Sequence, residues 1–128
     1  MIDHVSIPVT NLPRAVKFYD EVLKPLGYTR LVEREATVGF GKRYPEFWLN
    51  LRDAVVLARS GSGAHVAFRA RDVQTVQSFY DAAMANGGTC DGPPGPRKAT
   101  HPDYFAAFVR DFDGNRVEAV TFVETKDD

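Results

Sequence analysis

The chain has 128 residues, 44% of them hydrophobic and 26% charged, with a formal net charge of −1. That balance suits one globular domain, or two half-domains sharing a core, and it argues against nucleic acid or an anionic membrane as partner. The single cysteine, Cys90, excludes an internal disulfide. With no basic-then-apolar leader and no apolar run of about 18 residues, a cytoplasmic setting is expected.

The first element is an alternating strand, Asp3 to Val9, with Val5, Ile7 and Val9 on one face and His4, Ser6 and Pro8 on the other. Asn11 is a helix cap followed by Pro13, and apolar residues recur at Val16, Tyr19, Val22, Leu23 and Leu26 until Pro25 and Gly27 end the helix. Tyr28 to Val38 reads as a second strand, Gly39 to Pro45 as a connection, Glu46 to Leu51 as a third strand and Ala54 to Ala58 as a fourth. Ser60-Gly61-Ser62-Gly63 has the composition of a flexible linker. A strand follows with His65, Ala67 and Arg69 on one face and Val66, Phe68 and Ala70 on the other. Asp72 then caps a helix that stops at Asn86-Gly87-Gly88. Thr89 to Asp103 is rich in glycine and proline and reads as loop. Tyr104 to Arg110 and Asn115 to Val123 form a closing hairpin turned at Asp113-Gly114.

The chain repeats itself. His4-Val5 returns as His65-Val66, Asn11 as Asp72, Phe18-Tyr19-Asp20 as Phe79-Tyr80-Asp81, and Gly27 as Gly88, every pair 61 positions apart. A common offset across a strand, a cap, a helix and its end marks two copies of one β-α-β-β-β unit. The expected organisation is a first unit over residues 1–59, a linker at 60–63 and a second unit over 64–128.

The repeated HV…FYD and the Asp113-Gly114-Asn115-x-x-Glu118 ending resemble the vicinal oxygen chelate superfamily, which includes glyoxalases, extradiol dioxygenases and fosfomycin and bleomycin resistance proteins. The resemblance covers essentially the whole chain. It implies an α+β fold of two tandem β-α-β-β-β units whose curled mixed sheets form a half-barrel cavity around a divalent ion. It also implies that His4, His65 and Glu118 are the metal ligands. Matching the hairpin turns at the same offset puts Leu57 where some members have a fourth ligand, so three ligands are expected. Two imidazoles and a carboxylate suit iron, manganese, nickel or zinc.

Around that site the sequence offers several further candidates. Tyr104 or His101 is a candidate for moving a proton, against a packing tyrosine and a surface histidine as the plain alternatives. Trp48 and Asn50 share a parity and are candidates for the cavity wall, with core packing as the alternative for Trp48. Arg97 is a candidate contact for an anionic substrate. The expected function is that of a metal-dependent enzyme, of lyase, isomerase or dioxygenase type, acting on a small molecule chelated through adjacent oxygens. The alternative is a non-catalytic small-molecule-binding protein of the bleomycin-resistance type. A homodimer is expected, since it would cover a sheet edge.

Overall fold

A computed structural model describes residues 1–54 and 63–123 of the chain. The first unit runs β1 (Val5–Val9), α1 (Leu12–Leu23), a 3-10 turn (Lys24–Leu26), β2 (Thr29–Glu33), β3 (Thr37–Gly41) and β4 (Pro45–Leu51). The second runs β5 (Val66–Arg69), α2 (Val73–Ala85), β6 (Thr89–Pro96), β7 (Tyr104–Arg110) and β8 (Arg116–Phe122). Each unit makes one mixed sheet of four strands, in the orders β1-β4-β3-β2 and β5-β8-β7-β6. In both, the first strand pairs parallel with the last, and the remaining neighbours pair antiparallel. The fold is therefore α+β, two tandem β-α-β-β-β units with sheets that stay open.

Both helices begin where their caps predict. Asn11 Oδ1 accepts from the Arg14 amide at 3.0 Å, and Asp72 Oδ1 from the Thr75 amide at 2.8 Å. Their apolar faces cover one side of each sheet. Phe18, Tyr19, Val22 and Leu23 of α1 and Val76, Phe79 and Ala83 of α2 are buried in one continuous core. Phe47 and Phe68, one from each unit, meet edge to face at 5.1 Å, which ties the two units together.

Three readings of the chain change in the structure. The run Tyr28 to Val38 is not one strand: it breaks after Glu33, and β3 takes up Gly39 and Gly41, which the sequence placed in a connection. Glycines look like turn residues, but these mark close approach. A Cβ on Gly39 would stand 3.0 Å from the Trp48 ring, and one on Gly41 would stand 1.9 Å from the Tyr44 carbonyl oxygen. Thr89 to Pro96, read as loop, is the edge strand β6, where prolines are tolerated because one side of the strand needs no donors. The expected strand Ala54 to Ala58, apart from Ala54 itself, and with it Leu57 and most of the 60–63 linker, lie outside the described residues.

A polar clamp joins the units. The Tyr19 hydroxyl on α1 donates to Asp111 Oδ2 at 2.7 Å, and the Thr10 hydroxyl donates to Asp113 Oδ1 at 2.7 Å. Asn115 Nδ2 donates to Asp111 Oδ2 and to the Pro8 carbonyl, both at 2.9 Å. The closing hairpin turn is thus a docking element for the first unit, a role its spacing did not reveal. Burial, followed by the nearby Asp111 charge, pushes the Tyr19 phenol well above its ordinary pKa. Burial likewise raises Asp111, against the lowering effect of its hydrogen bonds from Asn115 and Tyr19.

Candidate metal-ligand pair on the open face

With one face of each sheet packed against a helix, the other is open. Period two then decides which side chains line it. In the second unit, His65, just before β5, and Ala67 and Arg69 of β5 stand on that face. Register continues it across the sheet, with Ala67 beside Glu118, Glu118 beside Phe108, and Tyr104 beside Phe122.

His65 and Glu118 meet there. His65 Nε2 lies 3.0 Å from Glu118 Oε1, and His65 Nδ1 lies 2.9 Å from the Gly63 carbonyl oxygen. A carbonyl only accepts, so Nδ1 carries a hydrogen and donates it. In the neutral ring Nε2 then presents its lone pair to the carboxylate. Two lone pairs do not rest at hydrogen-bond distance, so a proton or a cation belongs between them. An imidazole whose far nitrogen is anchored on a backbone carbonyl is also the usual posture of a metal-ligating histidine. Glu118 is only 1% exposed, and its Oε2 accepts a hydrogen bond from the Tyr104 hydroxyl. Burial and the bond to Glu118 push the Tyr104 phenol up to about 12. It is therefore protonated at neutral pH and acts as a donor to the carboxylate.

His4 does not join this pair. Its Nδ1 is 2.7 Å from Asp3 Oδ1, and it lines a separate cavity of about 460 Å3 with Asp3, Tyr44, Pro45 and Trp48. Among the described residues no group of three or more His, Cys, Asp or Glu side chains is arranged to hold a metal ion. His65 and Glu118 are donors of the kind that fit two positions of a nitrogen and oxygen metal site.

The strand register also moves the fourth-ligand position. Glu118 pairs across the parallel ladder with Ala67, and the residue in the matching place of the first unit is Trp48, which pairs with Ser6. Trp48, and not Leu57, is therefore the counterpart of Glu118. The offset of 61 holds through the helices and widens to 70 in the last strand, because β6 and β7 are longer than β2 and β3, and residues 97–103 and 111–115 are longer connections than 34–36 and 42–44. Periodicity in the helices could not report insertions that come after them.

The remaining candidates fall into two groups. Trp48 is half-buried on the open face of the first unit, beneath the Arg34 guanidinium at 5.4 Å, and Asn50 follows on the same face opposite Pro8. On the second unit, His101 is exposed, its Nδ1 accepts from the Asp103 amide at 3.1 Å, and its ring meets Phe122 edge to face at 5.4 Å, as does Tyr104. Arg97 lies over the Phe108 ring at 5.4 Å. Phe108 and Arg69 were not singled out from the sequence; the alternation of β5 and β7 is the signal that could have found them.

Comparison with known proteins agrees with this architecture. Residues 1–119 match the model of the glyoxalase/bleomycin resistance protein/dioxygenase superfamily, and the chain belongs to that family. A glyoxalase/bleomycin resistance protein from Albidiferax ferrireducens T118 is 30% identical, with a TM-score of 0.80 over 92% of this chain and 95% of that one. The fosfomycin resistance protein FosX of Listeria monocytogenes shares the fold at 16% identity, with a TM-score of 0.71 over 98% of this chain and 93% of that one. A putative glyoxalase from Bacillus halodurans does so at 21% identity, with a TM-score of 0.69 over 94% of each chain. No curated protein sequence matches the chain. Among the described residues no helix is long and apolar enough to cross a membrane.

Proposed function

We propose that this chain is a divalent-metal-dependent enzyme that acts on a small, oxygen-rich substrate through two adjacent oxygens. The observation that carries the reading is the His65–Glu118 contact, with its lone pairs opposed and its far nitrogen anchored at Gly63. Divalent metals are common in the superfamily, and iron, manganese, nickel and zinc all suit this donor set. His65 and Glu118 provide two ligands. Because His4 sits in its own cavity, the third is assigned to His4 of a second copy of the chain, which makes a homodimer the working unit.

A bound ion would hold the two substrate oxygens and stabilise negative charge developing on them. The residues of this chain supply the rest. Tyr104 keeps the Glu118 carboxylate oriented through its hydrogen bond. His101, exposed at the rim beside Phe122, is the candidate for carrying a proton, since a ring nitrogen can either give or take one. Trp48 and Asn50, on the same face as His4, would come with it from the second copy and line the opposite wall.

The test is elemental analysis of purified wild type beside His4→Ala, His65→Ala and Glu118→Ala, with the molecular mass in solution. The expected result is roughly one ion per chain in a dimeric wild type, abolished by Glu118→Ala and His65→Ala and weakened by His4→Ala without loss of the dimer. A wild type with no affinity for added ions sinks the proposal. It would favour the binding-protein reading, which has its own support in Trp48 standing where the second unit has its carboxylate.

A further inference from the structure

The open face of the second sheet is positively charged in a chain that is slightly acidic overall. Arg69, Arg97, Arg110 and Arg116 stand on or over it against two carboxylates, Asp91 and Glu118. Asp91 is taken up by Arg110 and Arg116 at 3.3 and 3.8 Å. Glu118 is taken up by His65 and Tyr104. Arg69 and Arg97 make no ion pair among the described residues; each is stacked on a ring instead, Arg69 on Phe122 at 4.7 Å and Arg97 on Phe108 at 5.4 Å.

Arg97 is the better built of the two. Its backbone amide donates to the Tyr104 carbonyl at 2.8 Å, which places it next to the residue that touches Glu118. Its guanidinium is fixed on two sides by backbone acceptors, with Nη2 to the Pro93 carbonyl at 2.7 Å and Nη1 to the Pro96 carbonyl at 3.2 Å. The run Gly92-Pro93-Pro94-Gly95-Pro96 makes that cradle. A Cβ on Gly92 would lie 3.2 Å from Nη2, and one on Gly95 would lie 3.1 Å from Nη1. Two of its five N–H donors are used, so three remain in a rigid planar fork. Phe108, beneath the fork, is the direct cross-strand neighbour of Glu118. A guanidinium without an ion pair among the described residues, held still near the His65–Glu118 pair, is arranged to meet an anion in bidentate fashion.

Resting on the metal-site reading above, we propose that Arg97 is the anion-binding, specificity-determining residue of this site. The substrate then carries a carboxylate, phosphonate or phosphate group beside the oxygens directed at His65 and Glu118. The prolines and glycines of β6 keep the fork in place before the ligand arrives, so little side-chain freedom is lost on binding.

The experiment is equilibrium binding of benzoate and phenylphosphonate, beside neutral benzamide, to the full chain with and without a chelator. At least one anion is expected to bind ten times or more tightly than benzamide in both conditions, with affinity falling as salt is added, and the tighter of the two names the anion class. Arg97→Gln is expected to lose about tenfold or more, Arg97→Lys to lose part of that, and Lys98→Gln, altering the exposed neighbour, to change nothing. Benzamide binding as well as the anions, no anion binding at millimolar concentration, or anion affinity indifferent to Arg97→Gln would each overturn the inference. Metal content separates the two proposals. Anion affinity that depends on Arg97 in a wild type unable to hold metal overturns the metal reading alone, and metal held with anion affinity indifferent to Arg97 overturns this one alone.

Discussion

The two units share a helix-side core and differ on their open faces. On the core side, Val5, Ile7 and Val9 of β1 match Val66, Phe68 and Ala70 of the second unit, and α1 and α2 start on equivalent caps. On the open side, Ser6, Trp48 and Gly39 of the first unit occupy the places of Ala67, Glu118 and Phe108 in the second. In one unit an indole lies over a glycine; in the other a carboxylate lies beside a phenylalanine. Even the repeated tyrosine diverges. Tyr19 is fully buried and bonds Asp111 across the unit boundary, whereas Tyr80 is only half-buried. Packing constrains the faces that must match, and the faces that need not match have separated into one that presents an indole and one that presents a histidine and a carboxylate.

The largest effect is expected where the units are joined. Asp111→Ala removes the acceptor of Tyr19, Asn115 and two backbone amides and strands those donors in a buried place, which costs about 3 kcal/mol of folding stability by denaturant titration. A change below about 1 kcal/mol would mean the clamp does not hold the units together. Gly39→Ala puts a methyl against the Trp48 ring and the Pro45 side chain, and overpacking of this kind costs about 1–3 kcal/mol, with a shift in Trp48 fluorescence. An unshifted, equally stable variant would break the argument that Gly39 is there for the indole.

Next comes the tyrosine pair. Tyr19→Phe loses a buried hydrogen bond to a charged group and is expected to destabilise by about 1–2 kcal/mol, while Tyr80→Phe stays within about 0.5 kcal/mol. Equal effects would erase the asymmetry drawn between the units. The smallest effect is a titration. Tyr28, raised chiefly by burial and then by Glu46, and Tyr104, raised chiefly by burial and then by Glu118, both ionise near 12 in the folded chain and near 10 when unfolded. The unfolded state therefore releases these protons first. The stability these phenols contribute is intact below pH 10 and is lost as pH rises toward 12. Ultraviolet titration is expected to show Tyr28 and Tyr104 ionising late, beside the still more strongly raised Tyr19, and Tyr104→Phe is expected to remove one late phenolate.

Much of this molecule was legible in its sequence. Alternation in β1 and β5, the caps Asn11 and Asp72, and the common offset of 61 made the paired units and their helices readable, because each depends on residues close together in the chain. The same alternation put His65 on the face opposite the helices. What could not be read were the strands β3 and β6, whose glycines and prolines answer to neighbours far along the chain: the Trp48 indole, the Tyr44 carbonyl and the Arg97 guanidinium. Nor could the counterpart of Glu118 be read, since longer strands and loops in the second unit shift the offset without leaving any local mark.

The sequence by itself determined the fold, the twofold repeat and the residue types available for chemistry, because hydrophobic period and capping act over a few residues. Tertiary structure alone decided which of those residues meet. It brought His65 to Glu118 and Tyr104, left His4 in a different cavity beside Trp48, and set Arg97 unpaired over Phe108. The reason is that strand register, edge position and loop length fix distances between residues that no local pattern connects.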